Sequence, residues 1–142
     1  MTGLKRRPKN MKGQSSVEAA FALLISLALV MFLWDGVNLG YNWVCMQFVL
    51  GRGLQEVQMG HDEATAGVII HQDATSLGIN TGLQATVTFG QYDWFQGPRS
   101  LATITLQRTV PFGPFLKVVF NAISLTPQVT LKVKGYTETP PS

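Results

Sequence analysis

One carboxylate, Glu18, stands near the start of an almost wholly apolar run in this chain. From Val17 to Trp34 only Glu18 and Ser26 are polar. A carboxylate in this position can cap the start of its own helix, or it can pair with a cation on a neighbouring chain inside the membrane. The first possibility has a specific form, because Ser15 and Glu18 fit the S-x-x-E capping box, which predicts a helix that starts at Ser15. Both possibilities stay open on these residues alone.

The apolar run has the length and the flanks of a membrane-spanning helix. Eighteen helical residues reach about 27 Å, close to the ~30 Å hydrocarbon core of a bilayer. Five of the eleven Lys and Arg residues precede the run, and no acidic residue comes before Glu18, which predicts a cytoplasmic amino terminus and an exported remainder. Trp34, Tyr41 and Trp43 follow the run, where interfacial aromatic anchors are expected. No small-x-small cleavage site follows, so we expect the segment to be kept.

Charge and polar spacing argue against several function classes. From Gln14 onward the chain has six basic and eight acidic residues, so its body lacks the basic excess of a nucleic-acid binder. His61 and His71 are ten residues apart and match no metal-ligand spacing, so we expect no metal site. No nucleophile–base pairing or phosphate loop stands out, which predicts a protein that is not an enzyme and uses no cofactor.

Beyond the apolar run, periodicity predicts a continued helix and then a smaller helix. Val37, Tyr41, Val44 and Phe48 recur every three or four residues, with Leu50 and Leu54 following, so we expect the first helix to extend past the membrane along one apolar face. The only cysteine, Cys45, lies in this extension and is expected to be a buried apolar residue. Residues His61 to Ile79 read as a second helix, which Asp62 caps and Gly78 ends.

After Gly82 the apolar residues alternate with period two, which predicts three strands: Leu83–Tyr92, Leu101–Val110 and Gln128–Tyr136. The expected fold is α+β: a long amino-terminal transmembrane helix, a short second helix and a small antiparallel sheet. The sheet is expected to pack against the second helix or the outer part of the first. We divide the chain into a basic leader (1–13), the transmembrane helix and its extension (14–60) and an exported α+β domain (61–142).

The residues around Glu18 resemble a known processing motif. Gly13 stands five positions before Glu18 and directly after the basic stretch, as in the prepilin cleavage motif of type IV pilin-like proteins. Within that superfamily the segment looks most like the TadE-like proteins, minor pilin-like components of the tight-adherence (Flp) pilus assembly system. The pattern departs from that family at Ala19, where an aromatic residue often follows the glutamate. The matching residues are Gly13, Val17, Glu18, Ala20, Phe21, Ala22, Leu23 and Leu24.

This resemblance implies a function in assembly. A prepilin peptidase would cut between Gly13 and Gln14, and the new Gln14 amine would pair with Glu18 of an adjacent subunit and set the axial register between chains. The implied partners are the membrane, other pilin-like subunits contacted through the amino-terminal helix, and the pilus assembly platform. The implied location is the bacterial inner membrane, crossed once, with the carboxy-terminal domain periplasmic or extracellular.

A second interpretation needs the membrane but no processing. The chain would be an uncleaved, single-pass envelope protein whose exported domain binds another envelope protein. The two interpretations separate on residues 1–13, because an assembly subunit loses this leader and an anchored binding module keeps it.

Overall fold

The computed structural model describes residues 11–94, 97–123 and 128–139, and it gives side-chain detail for these residues except 11–14 and 92–99. The fold is α+β, as predicted. In chain order the elements are α1 (Met11–Gln58), α2 (Glu63–Ser76), β1 (Leu83–Trp94), β2 (Gly97–Pro111), α3 (Pro114–Ala122) and β3 (Gln128–Glu138). Most of the predicted leader, residues 1–10, lies outside the described residues.

Helix α1 is one continuous helix of 48 residues, which corresponds to a length of about 72 Å at 1.5 Å per residue. The predicted capping box at Ser15 is wrong, because the helix already includes Met11 and Lys12, two good helix formers, and therefore runs through Ser15 and Glu18. The Gly36–Gly40 and Gly51–Gly53 pairs lower helix propensity but do not end the helix.

Helix α2 is defined by its caps, close to the predicted bounds. The Asp62 carboxylate accepts a hydrogen bond from the Thr65 backbone N–H at 3.0 Å. Interactions of the charged carboxylate with the Thr65 side chain, and then with its backbone N–H, lower the pKa of Asp62. At the other end Gly78 adopts a positive φ of 70°, a conformation that glycine reaches without the steric cost of a Cβ. The chain therefore turns from α2 toward the sheet at Gly78, where the sequence predicted the helix to stop.

The three strands form one antiparallel sheet in the order β1-β2-β3. A hairpin joins β1 to β2, since Trp94 pairs with Gly97. The pairing of Leu106 with Ala85 on one side and Val133 on the other places the buried residues of β2 at the centre of the sheet. Pro111 ends β2, because proline lacks the N–H that a further ladder hydrogen bond needs.

Helix α3 was not predicted. It begins with Pro114 directly after Gly113, a position where proline is well tolerated because the first helical residue needs no N–H donor. The helix is only nine residues long, too short for periodicity to distinguish it from a loop. Its Phe115 lies against Phe32 of α1, with the ring centroids 6.5 Å apart and the rings edge to face.

The core forms where α2 and the outer part of α1 cover one face of the sheet. The buried residues of β2 alternate, with Ala102, Ile104 and Leu106 all fully buried, as period two requires of a sheet with one covered face. The buried apolar residues that α1 and α2 contribute are Cys45, Met46, Val49, Leu50, Val57, Ala66, Ile70 and Ala74. The extension of α1 is therefore part of the same core as the sheet.

Two glycines let α1 and the sheet approach closely. A Cβ on Gly53 would lie 2.8 Å from Ile70 Cδ1 and 3.1 Å from Ile104 Cδ1, distances shorter than packed carbon atoms adopt. Gly135 of β3 allows the same close approach from the side of the sheet, since a Cβ there would lie 2.7 Å from Leu54 Cδ1. These positions set the spacing between helix and sheet.

The glycines at 51 and 53 provide a matched test of this close approach. Gly53→Leu should lower the free energy of unfolding by about 1–3 kcal/mol, because the side chain overfills a packed site. A Cβ on Gly51 would meet no atom within 4 Å, so Gly51→Leu should leave stability unchanged or raise it by up to ~1 kcal/mol. Chemical unfolding of the full chain in detergent micelles measures both, and equal effects would contradict the packing described.

Candidate functional site

The inner segment of α1, residues 15–34, projects away from the core. Every side chain in it is exposed or half-exposed, and none of its most apolar stretch is buried against the described residues. Phe21, Leu24 and Val30 are each about 60 % exposed (62 %, 59 % and 61 %). Among the described residues α1 is the one helix long and apolar enough to cross a membrane. A buried core helix with this composition would have its apolar residues covered, so this segment has the surface of an anchor.

Glu18 lies on the surface of the inner segment, about two turns from Met11, where α1 begins. The predicted cleavage residues Gly13 and Gln14 lie in the first turn of the same helix, and their side chains are outside the described set. Gly36 follows Glu18 by eighteen residues, or about five full turns, so both face the same side of α1. Gly40 lies one turn further along nearly the same line.

Gly36 and Gly40 present bare backbone on that side. A Cβ at either position would meet nothing within 4 Å, so no packing inside the described chain requires these residues to be glycine. Small residues four apart on a membrane helix allow a second helix to approach closely. We call Glu18, Gly36 and Gly40 the glutamate–glycine face.

The predicted interfacial aromatics Trp34, Tyr41 and Trp43 are all exposed, at 68 %, 54 % and 49 %. Trp34 ends the apolar run, whereas Tyr41 and Trp43 lie about 10 and 14 Å further along the helix axis. Tyr41 also has a partner in the folded domain, because its hydroxyl donates to the Leu77 carbonyl oxygen at 3.2 Å. The neighbouring Cys45 side chain raises the pKa of Tyr41.

A second exposed row continues past the apolar run. Val37, Tyr41, Val44 and Phe48, which we call the outer stripe, are 54–66 % exposed. The prediction that Leu50 and Leu54 share this face is wrong. Both leucines lie on the other side of α1, where Leu50 is buried in the core and Leu54 packs against it. The stripe begins at a groove of about 210 Å³ that Trp34, Val37, Asn38 and Tyr41 line.

The sheet is fixed to α1 by a polar contact that the sequence did not reveal. Arg108 of β2 donates through Nη1 to Asn42 Oδ1, and its Nε donates to the Thr81 carbonyl oxygen at 3.1 Å. Asn42 is 5 % exposed and donates in turn to the Asn38 carbonyl oxygen at 2.8 Å. Partial burial lowers the pKa of Arg108, and the guanidinium remains a cation at neutral pH because arginine stays protonated in proteins.

The sequence signal for this contact is a seven-residue repeat on the buried face of α1, formed by Asp35, Asn42, Val49 and Glu56. Three of these four residues are polar. Polar residues on a buried helix face need partners, so they mark places where another element must reach α1. Asn42 meets Arg108 in this way, and Asp35 meets α3.

The two histidines lie next to different polar partners and do not contribute to a common site. His61 Nδ1 lies 2.8 Å from Glu56 Oε2, and His71 Nδ1 lies 3.1 Å from Asn80 Oδ1. In the part of the chain that the structure describes, no three His, Cys, Asp or Glu side chains group as metal ligands would. Cys45 is 5 % exposed and packs in the core, as predicted.

Arg108 and Lys132 give a matched test of the polar contact, because both are cations on adjacent strands. Arg108→Met should lower the free energy of unfolding by about 1.5–3 kcal/mol, since it leaves buried Asn42 and the Thr81 carbonyl without a charged donor. Lys132 is exposed, so Lys132→Met should change stability by less than about 0.5 kcal/mol. Unfolding in detergent micelles measures both stabilities. Similar losses of stability would mean that Arg108 contributes only its positive charge and not a specific contact.

No protein-family model, curated protein or solved structure matches this chain.

Proposed function

We propose that this chain is a minor pilin-like subunit of a tight-adherence (Flp) type IV-like pilus assembly system. Helix α1 anchors it in the bacterial inner membrane with the amino terminus in the cytoplasm and the α+β domain outside. A prepilin peptidase removes residues 1–13, and the subunit then acts by assembly with other pilin-like subunits on the assembly platform, without catalysis. The TadE-like pattern from Gly13 to Leu24 suggests this class of protein.

The observation that carries the proposal is an exposed apolar surface longer than a bilayer. The apolar run already matches the hydrocarbon core, at about 27 Å against ~30 Å. The outer stripe continues to Phe48, about 21 Å beyond Trp34. Lipid around a helix that stands perpendicular to the membrane plane does not reach that far. Single exposed apolar residues are ordinary, but a row in helical register with the anchor marks a protein contact. A neighbouring helix that runs beside α1 fits this row.

The glutamate–glycine face suggests how neighbouring chains are aligned. An ionisable residue in a membrane segment is a candidate for a functional pairing with a group of opposite charge. Cleavage after Gly13 would supply such a cation, the Gln14 amine, at the matching depth of an adjacent chain. Gly36 and Gly40, five turns away on the same side, would let that chain approach closely. Glu18 sets the register in this arrangement, and the glycines set the distance.

Trp34, Tyr41 and Trp43 have different roles. Trp34 ends the apolar run and is the interfacial anchor. Tyr41 and Trp43 lie beyond the ~5–7 Å that the headgroup layer adds on each side of the hydrocarbon core. Tyr41 contributes to the outer stripe, and its hydroxyl contact with Leu77 ties that stripe to the folded domain.

Two valines on different helices test the outer stripe. Val44 and Val68 are exposed to a similar extent, 59 % and 66 %, but Val68 lies on α2 and outside the stripe. A genetically encoded photo-crosslinking residue at position 44, in a cell that assembles the pilus, should give an adduct with a second pilin-like chain, identified by mass spectrometry. The same residue at position 68 should give none.

The Glu18 variants test register in the same assay. Glu18→Ala removes the charge and should abolish the adduct from position 44, whereas Glu18→Asp keeps a carboxylate and should retain part of it. An adduct with lipid alone, or equal adducts from positions 44 and 68, would contradict assembly through the outer stripe. It would favour the uncleaved anchored module instead.

A further inference from the structure

Helix α3 is attached to α1 at the level where the apolar run ends. Asp35, the residue after Trp34, is 1 % exposed, and its Oδ2 accepts a hydrogen bond from the Leu116 backbone N–H at 3.0 Å. Leu116 is the third residue of α3, and the cap residue Gly113 provides no side-chain acceptor. The carboxylate of α1 therefore takes the place of an N-cap side chain and faces the positive end of the α3 dipole.

Two further features fix this attachment. A Cβ on Gly113 would collide with the Asp35 carboxylate, so the close fit requires glycine there. On the membrane side of Asp35, Phe32 contacts Phe115 edge to face at 6.5 Å. The first turn of α3 is thus held by one residue of the apolar run and by the first charged residue after it.

The surface of α3 is more apolar than its contacts within the chain require. From Phe115 to Ile123 only Lys117 and Asn121 are polar, and because they are four residues apart they share one narrow strip. Among the described elements α1 is the one with which α3 makes extensive contact. Val118, Val119 and Ile123 remain 69 %, 41 % and 59 % exposed.

Helix geometry limits how far these residues lie from the membrane boundary. Val118 and Val119 follow Leu116 by two and three residues, so they lie within about 5 Å of it along the α3 axis, whichever way α3 points. The headgroup layer adds about 5–7 Å on each side of the hydrocarbon core. With α1 spanning the bilayer as far as Trp34, both valines would fall within the interface of the leaflet where α1 emerges.

We propose that α3 lies in the lipid interface as a second membrane contact, with Val118, Val119 and Ile123 against the acyl boundary and Lys117 at the phosphates. The occupant is lipid because the exposed surface of α3 continues that of the apolar run through Phe32. A short helix with a basic residue on a narrow polar strip and Phe, Leu and Val elsewhere is of the kind that lies in this interface. The inference rests on the membrane-spanning α1 of the proposed function and not on assembly.

Single-cysteine labels on the full chain test the location of α3. Val118→Cys, Lys117→Cys and Leu27→Cys, each carrying an environment-sensitive fluorophore, are reconstituted in phosphatidylcholine vesicles. They are then exposed to spin-labelled lipid or to aqueous iodide. Native Cys45 is buried, and the unsubstituted chain controls for its labelling. The label at 118 should be quenched by spin-labelled lipid, the label at 117 more by iodide, and the label at 27 by lipid alone.

The outcomes separate this inference from the proposed function. If the label at 27 is quenched by lipid while iodide reaches the label at 118 as fully as that at 117, α3 is not in the interface and the anchor stands. A label at 118 that neither reagent reaches is covered by protein, which also overturns the inference. A label at 27 that lipid does not quench removes the membrane span, and with it both proposals.

Two variants test the attachment by different routes. Asp35→Ala removes the cap, and Gly113→Ala displaces it by a steric clash. In the Val118→Cys chain each should cause loss of lipid quenching and a gain in iodide quenching. Gly67→Ala is the control, because a Cβ there meets nothing within 4 Å. Unchanged quenching in both variants would contradict the role assigned to Asp35.

Discussion

The burial of one face of α1 against the sheet and α2 is the constraint on which the rest of the structure depends. Met46 and Val49 are fully buried in that contact, and Gly53 lets the backbone come close to Ile70. Because α1 is one continuous helix, fixing this face also fixes the direction of every residue in its inner segment. The orientation of Glu18 relative to the domain is therefore set by packing that lies more than 40 Å away along the helix axis, by an estimate of about 1.5 Å per residue.

Asp35 marks the change between the two parts of α1. Before it no described side chain of the helix is buried, and from it onward one face is covered. The carboxylate joins α3 to α1 at this boundary, and Asn42, two turns further, joins the sheet through Arg108. Buried polar groups specify position because each is costly without its partner. These two contacts fix the position of the domain relative to the helix, whereas the apolar contacts supply the buried surface area.

The sequence predicted the elements that follow from local patterns and missed those that depend on distant partners. Alternation located all three strands, and Asp62 and Gly78 marked the ends of α2. The Ser15 cap was wrong because the local motif lies within a helix that starts earlier. The prediction that Leu50 and Leu54 share a face with the outer stripe is wrong because α1 has apolar residues on more than one side. Spacing alone does not show which side meets the sheet. Arg108 and Asn42 are 66 residues apart, beyond any local pattern.

The mass of the intact chain purified from its native membrane shows whether residues 1–13 are removed in the cell. For a pilin-like subunit we expect a mature chain that begins at Gln14, and a Gly13→Ala variant that retains residues 1–13. Glu18→Ala should still be cut, since in the proposed function the carboxylate would act only after cleavage, in pairing between chains. An unprocessed chain beginning at Met1, in a cell that carries the prepilin peptidase, would contradict pilin-type processing. Glu18 would then be a surface carboxylate on an ordinary membrane anchor.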